Sequence, residues 1–120
     1  MNVEKPNIIQ EKSFEFAVCC INLYKWLLEE KREFVLSKHL LRSGTSVGAN
    51  VREAKNAESK NDFVQKLGIA QKECDESIYW LELLKTTNYI DDEEFERMYL
   101  HANQILKILK SIILSSKHNS

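Results

Sequence analysis

The chain has 120 residues, of which 43% are hydrophobic and 29% charged, and its formal net charge is −1. This composition is typical of a globular domain and excludes a disordered or fibrous chain. The balance of charge is slightly acidic, whereas modules dedicated to nucleic acid usually carry a net basic surface. Length and composition therefore predict one compact domain over residues 1–120.

The N-terminal twelve residues lack the apolar core of a secretory signal, and no apolar run approaches the ~20 residues that cross a bilayer. The three cysteines are Cys19, Cys20 and Cys74. Their number is odd and no C-x-x-C occurs, so they match neither a disulfide framework nor a zinc site. Reduced thiols are expected instead, as in a cytoplasmic protein. We therefore predict a cytoplasmic protein that does not contact a membrane.

Four segments with helical apolar periodicity follow in chain order. They predict α-helices at about 13–30, 35–57, 62–86 and 91–115, with frayed chain ends. Ser13 is the expected N-cap of the first helix, because its hydroxyl can accept from a free backbone N–H. The links are short, so consecutive helices are expected to be antiparallel. The predicted fold class is all-α: a single antiparallel up-down-up-down four-helix bundle.

Each predicted helix carries an apolar stripe at three- and four-residue spacing, which we interpret as its core face. In the first helix the stripe is Phe14, Ala17, Ile21, Tyr24 and Leu28. In the second it is Leu36, Leu40, Ser43, Val47, Val51 and Ala54. In the third it is Phe63, Leu67, Ala70, Cys74, Ser77, Leu81 and Leu84. In the fourth it is Phe95, Met98, Ala102, Ile105, Leu109 and Ile112.

The first and third helices carry further apolar residues beside these core stripes. A helix that is apolar nearly all round is normally buried all round, and monomers rarely expose a contiguous apolar patch. The second stripes therefore predict self-association. The expected oligomer interface consists of Phe16, Cys20, Leu23, Leu27, Ile69, Trp80 and Leu83.

The sequence offers no pattern typical of an active site or a metal centre. None of His39, His101 or His118 follows a glutamate at the spacing of a di-iron bundle. The run Gly44-Thr45-Ser46-Val47-Gly48 lacks the Gly-Lys-Ser/Thr ending of a phosphate loop. We therefore predict a protein that is not an enzyme, with no cofactor and no metal.

The segment from Leu40 to Ala54 departs from an ordinary bundle helix, because two glycines one turn apart and several small residues form a smooth face. Polar residues border this face and would need hydrogen-bond partners. One interpretation is a polar clasp between helices that fixes their register; the other is a contact with a ligand or RNA. The predicted clasp consists of Arg42, Ser46, Asn50, Glu53 and Glu76.

The same segment resembles the four-helix bundle family named for proteins encoded in intervening sequences of bacterial 23S ribosomal RNA genes. The matching positions of the second helix are Arg42, Ser46-Val47, Asn50 and Glu53. Those of the later half are Phe63, Ala70, Glu76 and Leu81, followed by Asn88-Tyr89-Ile90. Ala54 stands where the family often has glycine. The likeness extends from about Phe14 to Ile113.

The resemblance implies an up-down bundle that assembles as a ring, commonly a homopentamer. It also implies kinship with the accessory protein of diversity-generating retroelements, which is thought to bind nucleic acid. The acidic balance of this chain departs from the nucleic-acid-binding relatives, which tend to be basic.

These observations predict a non-catalytic homo-oligomeric scaffold, with RNA or DNA as a candidate partner. A basic run leads from the second helix into the third, interleaved with acidic residues that also suit an ordinary solvated face. The candidate contacts of this run are Arg52, Lys55, Lys60, Lys66 and Lys72. The alternative function is a protein–protein interaction scaffold, with Trp26 or Trp80 docking a protein partner.

Overall fold

The computed structural model describes residues 4–118, with side chains from residue 8 onward. Four α-helices account for nearly all of these residues: α1 (Glu4–Glu30), α2 (Leu36–Lys55), α3 (Lys60–Thr86) and α4 (Asp92–His118). The part of the chain from 4 to 118 contains no strand. The all-α prediction and the number of helices are therefore confirmed. The molecule is elongated, with principal extents of 48 × 22 × 19 Å.

Helix α1 begins at Glu4, nine residues before the predicted start, so Ser13 is not its N-cap. Ser13 is buried in the middle of the helix, and its hydroxyl donates to the carbonyl oxygen of Gln10. Pro6 does not prevent the earlier start, because the first four N–H groups of a helix have no partner within it. A serine before an apolar stripe therefore gave the wrong boundary.

The link between α1 and α2 is held in place by the carboxylate of Glu33. Arg32 has a positive φ of 52°, and the N–H of Glu33 donates back to the carbonyl oxygen of Leu27 at 3.0 Å. The Glu33 side chain is buried and accepts from the first N–H groups of α2, including Leu36 at 2.9 Å and Ser37 at 2.7 Å. Burial alone would raise the pKa of Glu33, but these hydrogen bonds lower it below the ordinary value.

The other two links also use side chains to satisfy helix N-termini. The Ser59 hydroxyl accepts from the N–H of Asp62 at 3.0 Å at the start of α3. The Asp91 carboxylate accepts from the N–H of Glu94 at 2.8 Å at the start of α4. Asn88, with φ of 69°, supplies the left-handed residue that ends the preceding helix. These contacts fix where the three short links turn.

One apolar core runs between the helices. The predicted stripes of the second, third and fourth helices all point into it, although Leu36, Phe63 and Ile112 at the helix ends are only partly buried. Those three stripes are therefore confirmed as the core faces of α2, α3 and α4.

The prediction for α1 was wrong, because its two apolar stripes are exchanged. The residues assigned to an oligomer interface, Phe16, Cys20, Leu23 and Leu27, are fully or almost fully buried in the core of the chain itself. The residues assigned to the core are partly buried or, for Phe14, exposed. The small residues of α2 explain why the second stripe of α1, and not the first, is buried. A Cβ on Gly44 would overlap the Cys20 side chain, so the glycine lets α1 approach through that stripe.

Specific contacts set the register of neighbouring helices. Ser43 of α2 and Ser77 of α3 share a buried hydrogen bond of 2.8 Å. The Cys74 thiol of α3 donates to the carbonyl oxygen of Ala102 in α4 at 3.3 Å. The rings of Phe16 and His101 pack edge to face at 5.5 Å between α1 and α4.

Candidate nucleic-acid interface

The five basic residues predicted as nucleic-acid contacts do not share one surface. Lys66 forms an ion pair with Glu53 at 2.9 Å, and this hydrogen bond raises the pKa of Lys66. Lys72 lies six residues further along α3, about 240° around the helix, and therefore points elsewhere. Lys60 is the first residue of α3 and is exposed.

The two members of the run on α2 face different cavities. Arg52 borders a surface cavity of about 450 Å³ between α1 and α2. Lys55 borders a smaller cavity of about 210 Å³, where the ends of the four helices meet. The lysine-rich run is thus continuous in sequence but divided in space.

The outer face of α2 adds two cations, Lys38 and Arg42, to Arg52, whereas Lys55 faces the other cavity. From Leu36 to Lys55 the helix carries the basic residues Lys38, Arg42, Arg52 and Lys55 and the single acidic residue Glu53. The Glu53 carboxylate is already engaged by Lys66. Within the described residues, none of these four basic side chains forms an ion pair, although the charge of Arg42 also acts on the Glu73 carboxylate of α3.

Two neighbouring cavities follow this face and meet at Thr45. The first, of about 730 Å³, is lined by Phe34, Val35, Lys38, His39, Leu41, Arg42 and Thr45. The second is the 450 Å³ cavity, lined by Gln10, Ser13, Phe14, Ala17, Thr45, Gly48, Ala49, Arg52 and Glu53. We call the surface formed by both cavities the α2 groove. Its floor is made of small residues, and an exposed phenylalanine stands in each cavity.

The α2 groove could have been anticipated from the sequence. Phe34 and Val35 stand directly before the Lys38 and Arg42 pair, and exposed aromatic residues among cations are typical of nucleic-acid surfaces. The sequence prediction rested instead on the basic run from Arg52 to Lys72, which lies further along the chain. The contribution of Phe14 was hidden, because the residue belongs to the stripe that periodicity assigned to the core.

The predicted polar clasp does not form. Arg42 and Glu76 are both exposed, and the described residues contain no ion pair between them. The Asn50 amide donates to the carbonyl oxygen of Ser46 within α2 at 2.9 Å, and Glu53 pairs with Lys66. The buried hydrogen bond that joins α2 to α3 is made instead by two serines of the core stripes, Ser43 and Ser77.

The predicted interface residues of α3 lie at the edge of the core. Ile69, Trp80 and Leu83 are each partly buried. The Trp80 ring stacks on His39 of α2 with the ring centres 4.5 Å apart, and its indole N–H is buried with no acceptor among the described residues. Much of the Trp80 surface is thus already used within the chain.

The described part of the chain contains no cluster of three or more potential metal ligands. The Cys20 and Cys74 thiols lie in the core, where burial raises the pKa of Cys20 far above its ordinary value and that of Cys74 to about 12. Both are therefore protonated at neutral pH and poor nucleophiles. Between residues 4 and 118, no helix has the length and apolar content that a membrane crossing requires.

Comparison with known proteins agrees with the fold and with the resemblance in α2 and α3. The family model described as 23S rRNA-intervening sequence protein matches residues 5–111. The chain belongs to the 23S rRNA-intervening sequence protein family. The match spans parts of all four helices, so family membership extends over nearly the whole fold.

One solved structure is closely similar to this chain in both fold and sequence. It is the 1.70 Å crystal structure of a protein with unknown function from the S23 ribosomal protein family of Bacteroides thetaiotaomicron VPI-5482. The sequences are 54% identical, and the alignment covers 91% of this chain and 97% of that chain with a TM-score of 0.90. No curated protein matches the chain.

Proposed function

We propose that this member of the 23S rRNA-intervening sequence protein family is a non-catalytic, homo-oligomeric scaffold that binds nucleic acid on the outer face of α2. The observation that carries the proposal is the group of cations Lys38, Arg42 and Arg52, which lie along one groove and form no ion pair with any residue that the structure describes. Such cations bind backbone phosphates by releasing counterions. The acidic balance of the whole chain is compatible with this, because several acidic residues lie in the first turn of α4 and the one acidic residue of α2, Glu53, is paired with Lys66.

The scaffold is an antiparallel up-down-up-down bundle in this proposal. Contacts between consecutive helices support that arrangement, because they run in opposite order along the two helices. Between α2 and α3, His39 meets Trp80, Ser43 meets Ser77 and Glu53 meets Lys66. Links of four or five residues are also typical of antiparallel neighbours.

Self-association into a ring, commonly a homopentamer in proteins of the resembling family, is the second element of the proposal. Its support on this chain is the outer face of α1, where Ile8, Val18 and Trp26 are exposed. Ile8 and Trp26 are eighteen residues apart, five full helical turns, and therefore point in one direction. A ring would repeat the cations of α2 in every copy and strengthen weak individual contacts.

The absence of catalysis and a cytoplasmic location complete the proposal. The protonated state of the buried Cys20 and Cys74 thiols supports a non-catalytic role for them. Reduced cysteines also suit the cytoplasm, where disulfides are rare.

The test is binding of the purified protein to a structured RNA, measured by fluorescence anisotropy at 50 and 200 mM salt. With about three phosphate contacts, affinity is expected to fall roughly twenty- to fortyfold between the two salt concentrations. The double variant Lys38→Gln/Arg42→Gln is expected to weaken binding at low salt and reduce the salt dependence. Lys107→Gln/Lys110→Gln on α4 removes the same charge from exposed positions elsewhere and is the matched control.

Equal losses of RNA affinity in both double variants would contradict the assignment of the binding site to α2. Absence of binding at both salt concentrations would contradict nucleic-acid binding altogether and favour the second candidate function, a scaffold for a protein partner. A specific observation supports that candidate: Trp26 is 41% exposed and borders a cavity of about 500 Å³ between α1 and the start of α4. Binding there would change little with salt, because an apolar contact releases no counterions.

A further inference from the structure

We infer that the α2 groove binds a single strand of nucleic acid, with bases stacked on Phe34 and Phe14 and phosphates held by Lys38, Arg42 and Arg52. The inference rests on the proposed nucleic-acid binding and names the class of ligand that the groove selects. What distinguishes the groove from a merely basic surface is the presence of these two exposed rings.

The two phenylalanines are among the exposed apolar side chains of the described residues. Phe34 is 54% exposed and Phe14 61%. Each stands in a cavity that also contains cations, Phe34 with Lys38 and Arg42, and Phe14 with Arg52. Stacking of bases on aromatic rings next to a basic track is the usual mode of binding to single strands.

The Phe34 ring, the expected stacking platform, already has a cation close to it. The guanidinium carbon of Arg32 lies 5.8 Å from the centre of the Phe34 ring. A base that stacks on the free face of this ring would lie beside a positive charge, which favours both the π-face and the neighbouring phosphate. The contact also restrains the ring before a ligand arrives.

The floor of the groove permits close approach of a strand. Thr45, Gly48 and Ala49 form it, and none of them carries a long side chain. Between Val35 and Gly48, thirteen residues of helix span roughly 20 Å. At about 3.4 Å per stacked nucleotide, this distance accommodates roughly six nucleotides.

A duplex would use only part of these features. Its bases are already stacked on one another, so the phenylalanine rings have no free base to receive, and only the cations would contribute. A single strand can use rings and cations together. The groove is therefore expected to prefer single strands over duplexes of the same length.

The experiment compares a fluorescein-labelled twelve-nucleotide single strand with the corresponding twelve-base-pair duplex by anisotropy. The wild-type protein is expected to bind the single strand more tightly. Phe34→Ala and Phe14→Ala are each expected to weaken single-strand binding roughly five- to hundredfold, while the salt dependence remains unchanged. Leu100→Ala, at an apolar side chain of α4 that is 59% exposed, is the matched control and should bind like wild type.

Four other outcomes are informative. Equal or tighter binding of the duplex, or phenylalanine variants that bind like Leu100→Ala, would overturn the inference and leave the proposed function standing. Failure to bind either ligand would overturn both. A phenylalanine variant that changes the mass in light scattering, with the circular dichroism spectrum preserved, would mean that the groove is an interface between copies of this chain and would also overturn the inference.

Discussion

At the scale of single residues, Glu33 shows how a charged group is used inside the fold. Its carboxylate is buried, yet it accepts from three successive backbone N–H groups at the start of α2, those of Val35, Leu36 and Ser37. These groups would otherwise lack partners, because the first turn of a helix has none of its own. The charge is thus stabilised by the helix that it begins.

Replacement of Glu33 by Gln is expected to lower the free energy of unfolding by about 1 kcal/mol at pH 7, as for the loss of other N-terminal caps. The pKa of Glu33 is lower in the folded chain than in the unfolded chain. Its stabilising effect is therefore complete above the unfolded value of about 4.3 and is lost as the pH falls through the folded value. Urea denaturation of wild type and Glu33→Gln from pH 7 to pH 3 measures how the free energy of unfolding depends on pH.

The difference between wild type and Glu33→Gln should narrow below about pH 4.3. A difference that stays constant across that range would contradict the role of the ionised carboxylate. Glu30→Gln in the exposed last turn of α1 is a suitable control and should change little at any pH.

At the scale of helices, the close approach of α1 and α2 depends on Gly44, against which the side chain of Cys20 packs. Periodicity predicted the core faces of α2, α3 and α4, because in each of them one apolar stripe is the strongest; on α3 the additional apolar residues Ile69, Trp80 and Leu83 are only partly buried. It was wrong for α1, because that helix has two apolar stripes of similar strength. Only the position of the small face on α2 distinguishes them, and this is a property of the helix pair.

Gly44→Ala is expected to destabilise the fold by about 1–3 kcal/mol, the usual cost of overpacking, because the new methyl group would overlap the buried Cys20 side chain. Gly68→Ala on α3 is the matched control. A Cβ at Gly68 would meet nothing within 4 Å, so the substitution should stabilise the fold by about 0.5–1 kcal/mol through helix propensity. Urea denaturation of both variants measures the two effects. A change in the free energy of unfolding with the same sign for both variants would contradict this explanation.

At the scale of the whole molecule, the sequence predicted four helices and a shared core, because these follow from the spacing of apolar residues, although α1 begins nine residues earlier than predicted. It did not predict which polar residues meet across helices. Arg42 and Glu76 were both assigned to a polar clasp between helices, but both are exposed, whereas Ser43 and Ser77 meet in the core. Such partners depend on the exact register of two helices, which periodicity fixes only to within a turn.

Self-association is expected to depend on the outer face of α1. Trp26→Glu would place a charge in the middle of an apolar contact, which is costly without a partner. The mass measured by light scattering should then fall toward the 14.0 kDa of one chain, with helicity preserved. Leu114→Glu, at an exposed position near the end of α4, is the control and should keep the wild-type mass.

A wild-type mass equal to that of one chain would contradict self-association itself. An assembly that withstands Trp26→Glu would exclude this face of α1 as the interface.

Helix α2 keeps two kinds of residue on opposite sides, and this has a consequence for how the protein can change over evolutionary time. The inner side holds Leu40, Val47 and Val51 in the core, where substitution endangers folding. The outer side holds Lys38 and Arg42, which form no ion pair within the described chain, so their replacement costs the fold little. Descendants of one ancestral sequence can therefore exchange the charged residues of the α2 groove without first acquiring compensating mutations in the core.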